Sequence, residues 1–204
     1  MLLQRLRNET ARNHAAIESQ MPLLDPSLSL EMYRDLLARF RGFYVPLEQQ
    51  LQSRINKFWS DTEYVWAERE KSPLLEFDLR TMGQITSADD ECLVLPSLKS
   101  PAEVLGCLYV VEGATLGGQV ITKLLSLQLG LTPQTGAAFF NGYGADTSSR
   151  WQSFRQFLTH NAEPLDQDNE IVASANATFV TLADWLFPLE TRDVSSEVVT
   201  HIGR

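Results

Sequence analysis

Apolar positions recur three and four residues apart along most of the chain, the period of amphipathic helices. Leu3, Leu6, Thr10, His14, Ile17 and Met21 share one face of a first helix, which Met21-Pro22 and Asp25-Pro26 end. Ser29 then caps a second helix that turns Met32, Leu36, Leu37, Phe40 and Phe43 inward. Pro46 is expected to bend it, since proline lacks an amide donor and crowds the preceding turn; the pattern resumes at Leu47, Leu51 and Ile55. Leu74 to Met82 predicts a shorter helix. Ser100-Pro101-Ala102-Glu103 is a capping box with proline at the first helical position. The helix it opens is expected to run to about Leu129, where Gly130 stops it and Pro133 lies beyond. After the glycine-rich loop Asn141-Gly142-Tyr143-Gly144, Ser148 or Ser149 begins a helix through Trp151, Phe154 and Leu158, and Ile171 to Leu186 forms the last long one. No stretch alternates with the two-residue period of strands, no repeat is visible, and no Gly/Ser-rich linker divides the chain. The fold class is therefore all-α: a single-domain helical bundle of about seven or eight helices over 1–204, with a loose C-terminal tail from about 191.

Bulk numbers narrow the function classes. A chain of 204 residues, 44% hydrophobic and 21% charged, suits one sizeable core. The net charge of −9 repels phosphate backbones and anionic membrane faces, so neither nucleic acid nor membrane is an expected partner. An anionic ligand would need a local basic patch. The two cysteines, Cys92 and Cys107, form no CxxC or Cys/His cluster, which argues against zinc and suits a reducing, cytoplasmic location. The N-terminus turns charged at Arg5 and lacks the apolar run of a signal peptide. The most apolar stretch, Val104 to Leu129, is interrupted by Glu112, Gln119 and Lys123 and reads as a buried helix rather than a membrane span.

Two anomalies stand out from an ordinary bundle. The first is Glu112-Gly113-Ala114-Thr115-Leu116-Gly117-Gly118-Gln119 inside the longest predicted helix. Each interior glycine costs roughly 1 kcal/mol relative to alanine, so some close approach should offset the three of them. Helix–helix packing through Gly113 and Gly117 is one explanation and a ligand against the backbone is the other. The adjacent pair Gly117-Gly118 favours a broad flat ligand, because neighbouring residues point about 100° apart and one packing contact rarely needs both. The second anomaly is His14 on the apolar face of the first helix. A core histidine bonded to a neighbour is the bland reading. Against it, Glu18 lies four residues on, where it can accept the Nδ1 proton and leave Nε2 for a metal. Arg7 lies two turns back on the same face, where a cation meets an anionic ligand edge. A single axial histidine, a glycine wall and basic residues at the rim describe a five-coordinate heme pocket.

These residues resemble a known family. Glu9-Thr10-Ala11-Arg12-Asn13-His14 is similar to the proximal helix of heme oxygenases, with Glu18 matching the acidic residue that orients the ligand. Glu112 to Gln119 is similar to the family's distal helix. Lys71-Ser72-Pro73-Leu74-Leu75-Glu76-Phe77-Asp78-Leu79 and Phe139-Phe140-Asn141-Gly142-Tyr143-Gly144 resemble stretches of its bacterial, bacteriophytochrome-associated branch. The ordered set covers about the first 190 residues. The resemblance implies a heme oxygenase-like bundle with heme b between the first helix and the glycine-bearing helix. It also implies oxidative opening of that heme to biliverdin, with release of CO and ferrous iron. The reaction consumes O₂ and electrons from an external reductase or ferredoxin, and a bacteriophytochrome is an implied biliverdin acceptor. His14 is the expected iron ligand. Gly113, Thr115, Gly117 and Gly118 are the expected distal residues. Arg7, Glu18, Tyr143, Arg150 and Arg155 are expected around the ligand, the two last where family members place propionate-binding cations.

One departure bears on turnover. Better-known members carry Asp directly after the first distal glycine, where it organises a proton-delivering water network; here that position is Ala114. A non-catalytic heme-binding carrier or sensor is therefore the alternative reading, and a bundle binding another flat molecule without iron is a second. His160 reads as a favourable charge near a helix C-terminus, His201 as part of the tail, and Asp89-Asp90-Glu91 as an exposed loop.

Overall fold

The computed structural model describes residues 1–60, 64, 66–84 and 90–188; His201 and Asp89 lie outside them. Among the described residues the chain forms helices and turns and no strand. The α-helices in chain order are α1 (Leu2–Glu18), α2 (Leu30–Phe58), α3 (Ser72–Thr81), α4 (Pro101–Gly113), α5 (Gly118–Leu129), α6 (Ala138–Asn141), α7 (Thr147–Ala162) and α8 (Asp168–Leu186).

The local signals act as their chemistry requires. The Ser29 side chain accepts from the Met32 amide at the start of α2. At Ser100 both halves of the capping box form, and the Ser100 hydroxyl reaches Glu170 at 2.7 Å, tying the start of α4 to α8. Gly130 closes α5 in the left-handed region, at φ 68, where a side chain would be strained. Helix α2 continues through Pro46 over all of Leu30–Phe58.

One expectation is corrected. The helix opened at Ser100 does not run unbroken to Leu129: it becomes a 3-10 turn over Ala114–Gly117 before α5 begins. The glycines on either side of that turn carry no side chain to hold the α-helical ladder against its tighter alternative. The Pro101–Leu129 run is long and apolar enough to cross a membrane by length and composition, yet 56% of its most apolar 18-residue window is buried inside the protein.

Helix α8 orders the site. Along it, Arg5 Nη2 donates to Asn169 and Asn13 Nδ2 to Asn176, at 2.8 and 2.7 Å. On another side, Ser100 meets Glu170, the Ser174 hydroxyl donates to the Glu103 carbonyl, and Cys107 meets Thr178. Both α1 and α4 therefore run in the same direction as α8. His14, whose ring meets Phe179 edge-on at 5.7 Å, stands level with the part of α4 beginning at Cys107. The two cysteines are buried and unpaired.

Candidate functional site

On the α1 side the imidazole of His14 is about half exposed (52%), and its Nδ1 lies 3.3 Å from Glu18 Oε2. With Glu18 beside Nδ1, Nε2 is the ring nitrogen left for a ligand. Among the described residues Nε2 makes no hydrogen bond. One turn back, Thr10 packs beside Tyr109 of α4. Burial pushes the Tyr109 phenol up, while the Thr10 hydroxyl and the positive charge of Arg7 pull it down. Arg7 is exposed on α1, and its charge acts on Tyr109 of α4.

On the opposite side, Tyr109 lies 6.0 Å from the Trp151 ring. A methyl group at Gly113 would meet Trp151 at 4.0 Å, and one at Gly117 would meet nothing within 4 Å. Leu116 and Val120 next to them are exposed (48% and 66%). An open cleft of about 550 Å³ lies here, with Leu116, Gln119, Asn141, Gly144, Ser148 and Trp151 on its walls. Gly117 therefore leaves backbone that a flat apolar ligand can approach, and Leu116 on the cleft wall supplies apolar cover, while Gly113 faces the Trp151 ring.

Gly118 does something else. A Cβ there would run into the Phe140 carbonyl oxygen of α6. The expectation that both adjacent glycines serve a ligand is thus corrected: Gly117 faces open space, and Gly118 lets α5 and α6 come into backbone contact. Thr115 is buried, and its hydroxyl donates to the Glu112 carbonyl at 2.7 Å. Ala114 is exposed and places no ionisable group on the turn.

Behind the turn lies a polar cluster that helical periodicity did not reveal. Glu112 is fully buried. Arg69 Nη1 donates to it at 2.9 Å, and the Tyr143 hydroxyl lies 3.0 and 3.2 Å from its two oxygens. Lys71, 2% exposed, stands 4.0 Å from Glu112 and donates to the Tyr143 hydroxyl at 2.7 Å and to the Arg69 carbonyl. Burial pushes the Lys71 ammonium down, and the carboxylates of Glu112 and Glu48 pull it back up. The Tyr143 phenol is pushed far up, first by burial and then by Glu112. Glu48 accepts from the Lys71 and Ser72 amides and the Ser72 hydroxyl at the start of α3, which offsets part of the burial that raises its own pKa. Two buried cations facing two buried carboxylates leave the cluster near neutrality, the condition under which charges survive in a core.

The cluster redefines two expected contacts. The Tyr143 hydroxyl is committed to Glu112 and Lys71. Arg150 pairs with Glu68 at 2.9 Å and lies over the Tyr143 ring at 5.6 Å. Arg155 is exposed on α7. His14, Glu18 and Arg7 share one side of the site, and Gly113, Gly117 and Leu116 the other. The missed members, Arg69 and Lys71, sit in a segment without periodicity. Lys71 entered the sequence reading only as part of the 71–79 resemblance, and the one physical signal of a buried partner was Glu112 itself, a carboxylate in the most apolar stretch.

The family follows from comparison with known proteins. The family model of heme oxygenase matches residues 1–187. A heme oxygenase from Xanthomonas campestris pv. campestris (strain 8004) is 28% identical over 155 residues, covering 74% of this chain and 87% of that protein. Heme oxygenase from Leptospira interrogans superposes with a TM-score of 0.72 at 19% identity, over 92% of this chain and 99% of that one. The NO- and CO-bound heme oxygenase from Neisseria meningitidis does so with 0.68 at 19% identity, over 91% and 92%. With the α1 imidazole on one side and the glycine turn on the other, the chain belongs to the heme oxygenase family, whose activity is heme degradation.

Proposed function

We propose that this protein opens heme oxidatively to biliverdin, with release of CO and ferrous iron, using O₂ and electrons from an external reductase or ferredoxin. The observation that carries the reading is the His14–Glu18 pair, exposed on α1 and level with the part of α4 that leads to the glycine turn, in a chain of this family. The residues present fit heme. His14 would offer Nε2 to the iron, with Glu18, 3.3 Å from Nδ1, as the orienting carboxylate. Gly117 would hold the macrocycle face against backbone, with Leu116 excluding water. Arg7, Arg150 and Arg155 are the cations available to the propionates. Bound heme supplies the iron that activates O₂ and is itself the molecule consumed.

Similarity of the Lys71–Leu79 and Phe139–Gly144 stretches to the bacteriophytochrome-associated branch supports chromophore supply as the role, with a bacteriophytochrome as acceptor of the biliverdin. Ala114 favours a second reading, a heme-binding carrier or sensor without turnover, because its methyl group organises no proton-delivering water. Anaerobic loading with hemin followed by O₂ and reductant separates the two. Loss of the Soret band with appearance of biliverdin supports the enzyme, and heme that stays bound and intact supports the carrier.

A further inference from the structure

The cleft wall is not built from one helix. Three segments meet at Glu112: the end of α4, the stretch carrying Arg69 and Lys71, and the loop carrying Tyr143. Glu112 is the last residue before Gly113, and its carbonyl takes the Thr115 hydroxyl of the 3-10 turn. Tyr143 lies between Asn141 and Gly144, both on the cleft wall. Arg69 also reaches the Arg150 carbonyl and the Ser153 hydroxyl at the start of α7, at 3.4 and 3.3 Å. Across the cleft mouth, Gln119 Nε2 donates to the Gly144 carbonyl at 3.0 Å. The 141–144 loop and the start of α7 are thus tied to one buried carboxylate through Tyr143 and Arg69, and the 3-10 turn to the main-chain carbonyl of the same residue. Glycine-rich backbone in a 3-10 turn has little intrinsic preference for one position, so its placement must come from outside the turn.

We propose that Glu112 is a positioning residue: held by Arg69 and Tyr143, it fixes the 113–117 turn against the 141–147 loop and so sets the width of the cleft above the ligand. The inference rests on the reading of this cleft as part of the heme site. Its structural half is testable without heme. Tyr143→Phe removes one bond to Glu112 and keeps the ring; Glu112→Gln removes the charge. Hydrogen exchange of the apo-protein is followed in peptides covering 113–119 and 141–147, with α8 as internal reference. The expected result is a rise in exchange at 113–119 and 141–147 that exceeds any rise in α8 by about tenfold or more in both variants. A uniform rise across the chain, or none in Tyr143→Phe, overturns the proposal. Should Glu112→Gln fail to fold, Tyr143→Phe alone decides.

The functional half is read on the hemin-loaded protein. The CO stretch of the ferrous–CO complex should broaden or split in Tyr143→Phe, and the ratio of biliverdin isomers should shift, while hemin affinity stays within about threefold. An unchanged CO stretch with an unchanged isomer ratio overturns the role in the site. If the wild-type protein neither binds nor degrades hemin, the heme oxygenase reading fails, and with it this half of the proposal; the exchange result still reports on the structural half.

Discussion

The two sides of the candidate site are built on opposite principles. On the α1 side, His14 and Glu18 are both more than half exposed and one helical turn apart. An exposed pair of this kind contributes only about 0.3–0.5 kcal/mol, so the fold hardly depends on it. On the glycine side, Glu112, Arg69 and Lys71 are almost wholly buried and drawn from distant parts of the chain. Their mutual satisfaction is a condition for folding there at all. Function without structural burden sits on one side, and function fused to structure on the other. Substitutions should therefore separate chemistry from stability at α1 and fail to separate them behind the distal turn.

The sharpest break of this contrast is His14→Ala. The spectrum of a His-ligated ferrous–CO complex should vanish, while apo-protein stability stays within about 0.5 kcal/mol, as for other surface changes. A variant that keeps the wild-type spectrum would move the ligand elsewhere, with His160 next to be tested. Arg69→Met should behave oppositely. It leaves Glu112 buried without its closest cation and should cost about 3–5 kcal/mol in denaturant unfolding; a loss under about 1 kcal/mol would mean that water already reaches the cluster. The adjacent glycines repeat the comparison at one-residue resolution. Gly118→Ala must push α5 off the Phe140 carbonyl and should cost roughly 1–3 kcal/mol. Gly117→Ala meets nothing in the apo-protein and should gain up to about 1 kcal/mol from helix propensity. Equal effects on apo stability would erase the distinction between them.

Smaller effects sharpen the α1 side. Arg7→Ala should weaken hemin binding about tenfold, the loss of one charge-assisted contact. The effect should shrink with esterified propionates, and equal losses for both forms of heme would remove Arg7 from the propionate rim. Glu18→Gln should produce the least change, a small shift of the iron–imidazole stretch in resonance Raman, because Nδ1 keeps a partner but loses its charge. An identical stretch would leave Glu18 a solvated surface residue.

The same contrast explains what could be read from the sequence. The His14–Glu18 pair follows from helical spacing alone, because four residues bring side chains together on any α-helix. The starts of α2 and α4 and the end of α5 were legible for the same reason: caps are local chemistry. The Glu112 cluster was not, since spacing says nothing about which distant segment will meet a buried carboxylate. Gly117 and Gly118 looked equivalent because glycine has no side chain whose character reveals what it faces. Only the position of the Phe140 carbonyl separates them. The break of the long helix at Ala114 was masked by apolar residues on both sides of it.

Helix α4 is a beam clamped at both ends, to α8 at its start and through buried Glu112 to Arg69 and Tyr143 at its finish. Its first turn is fixed to α8 through Ser100–Glu170 and Ser174–Glu103, and the clamp reaches Cys107 and Thr178. Its far end stops at the 3-10 turn, beyond which Gly118 couples α5 to α6 by backbone contact. Any load placed on the turn by an arriving ligand therefore meets held helix on the α4 side and is taken up beyond the turn, where Gly118 seats α5 on the Phe140 carbonyl. The clamped helix, which sets the level of His14 against the glycine wall, keeps its register whether the cleft is empty or full.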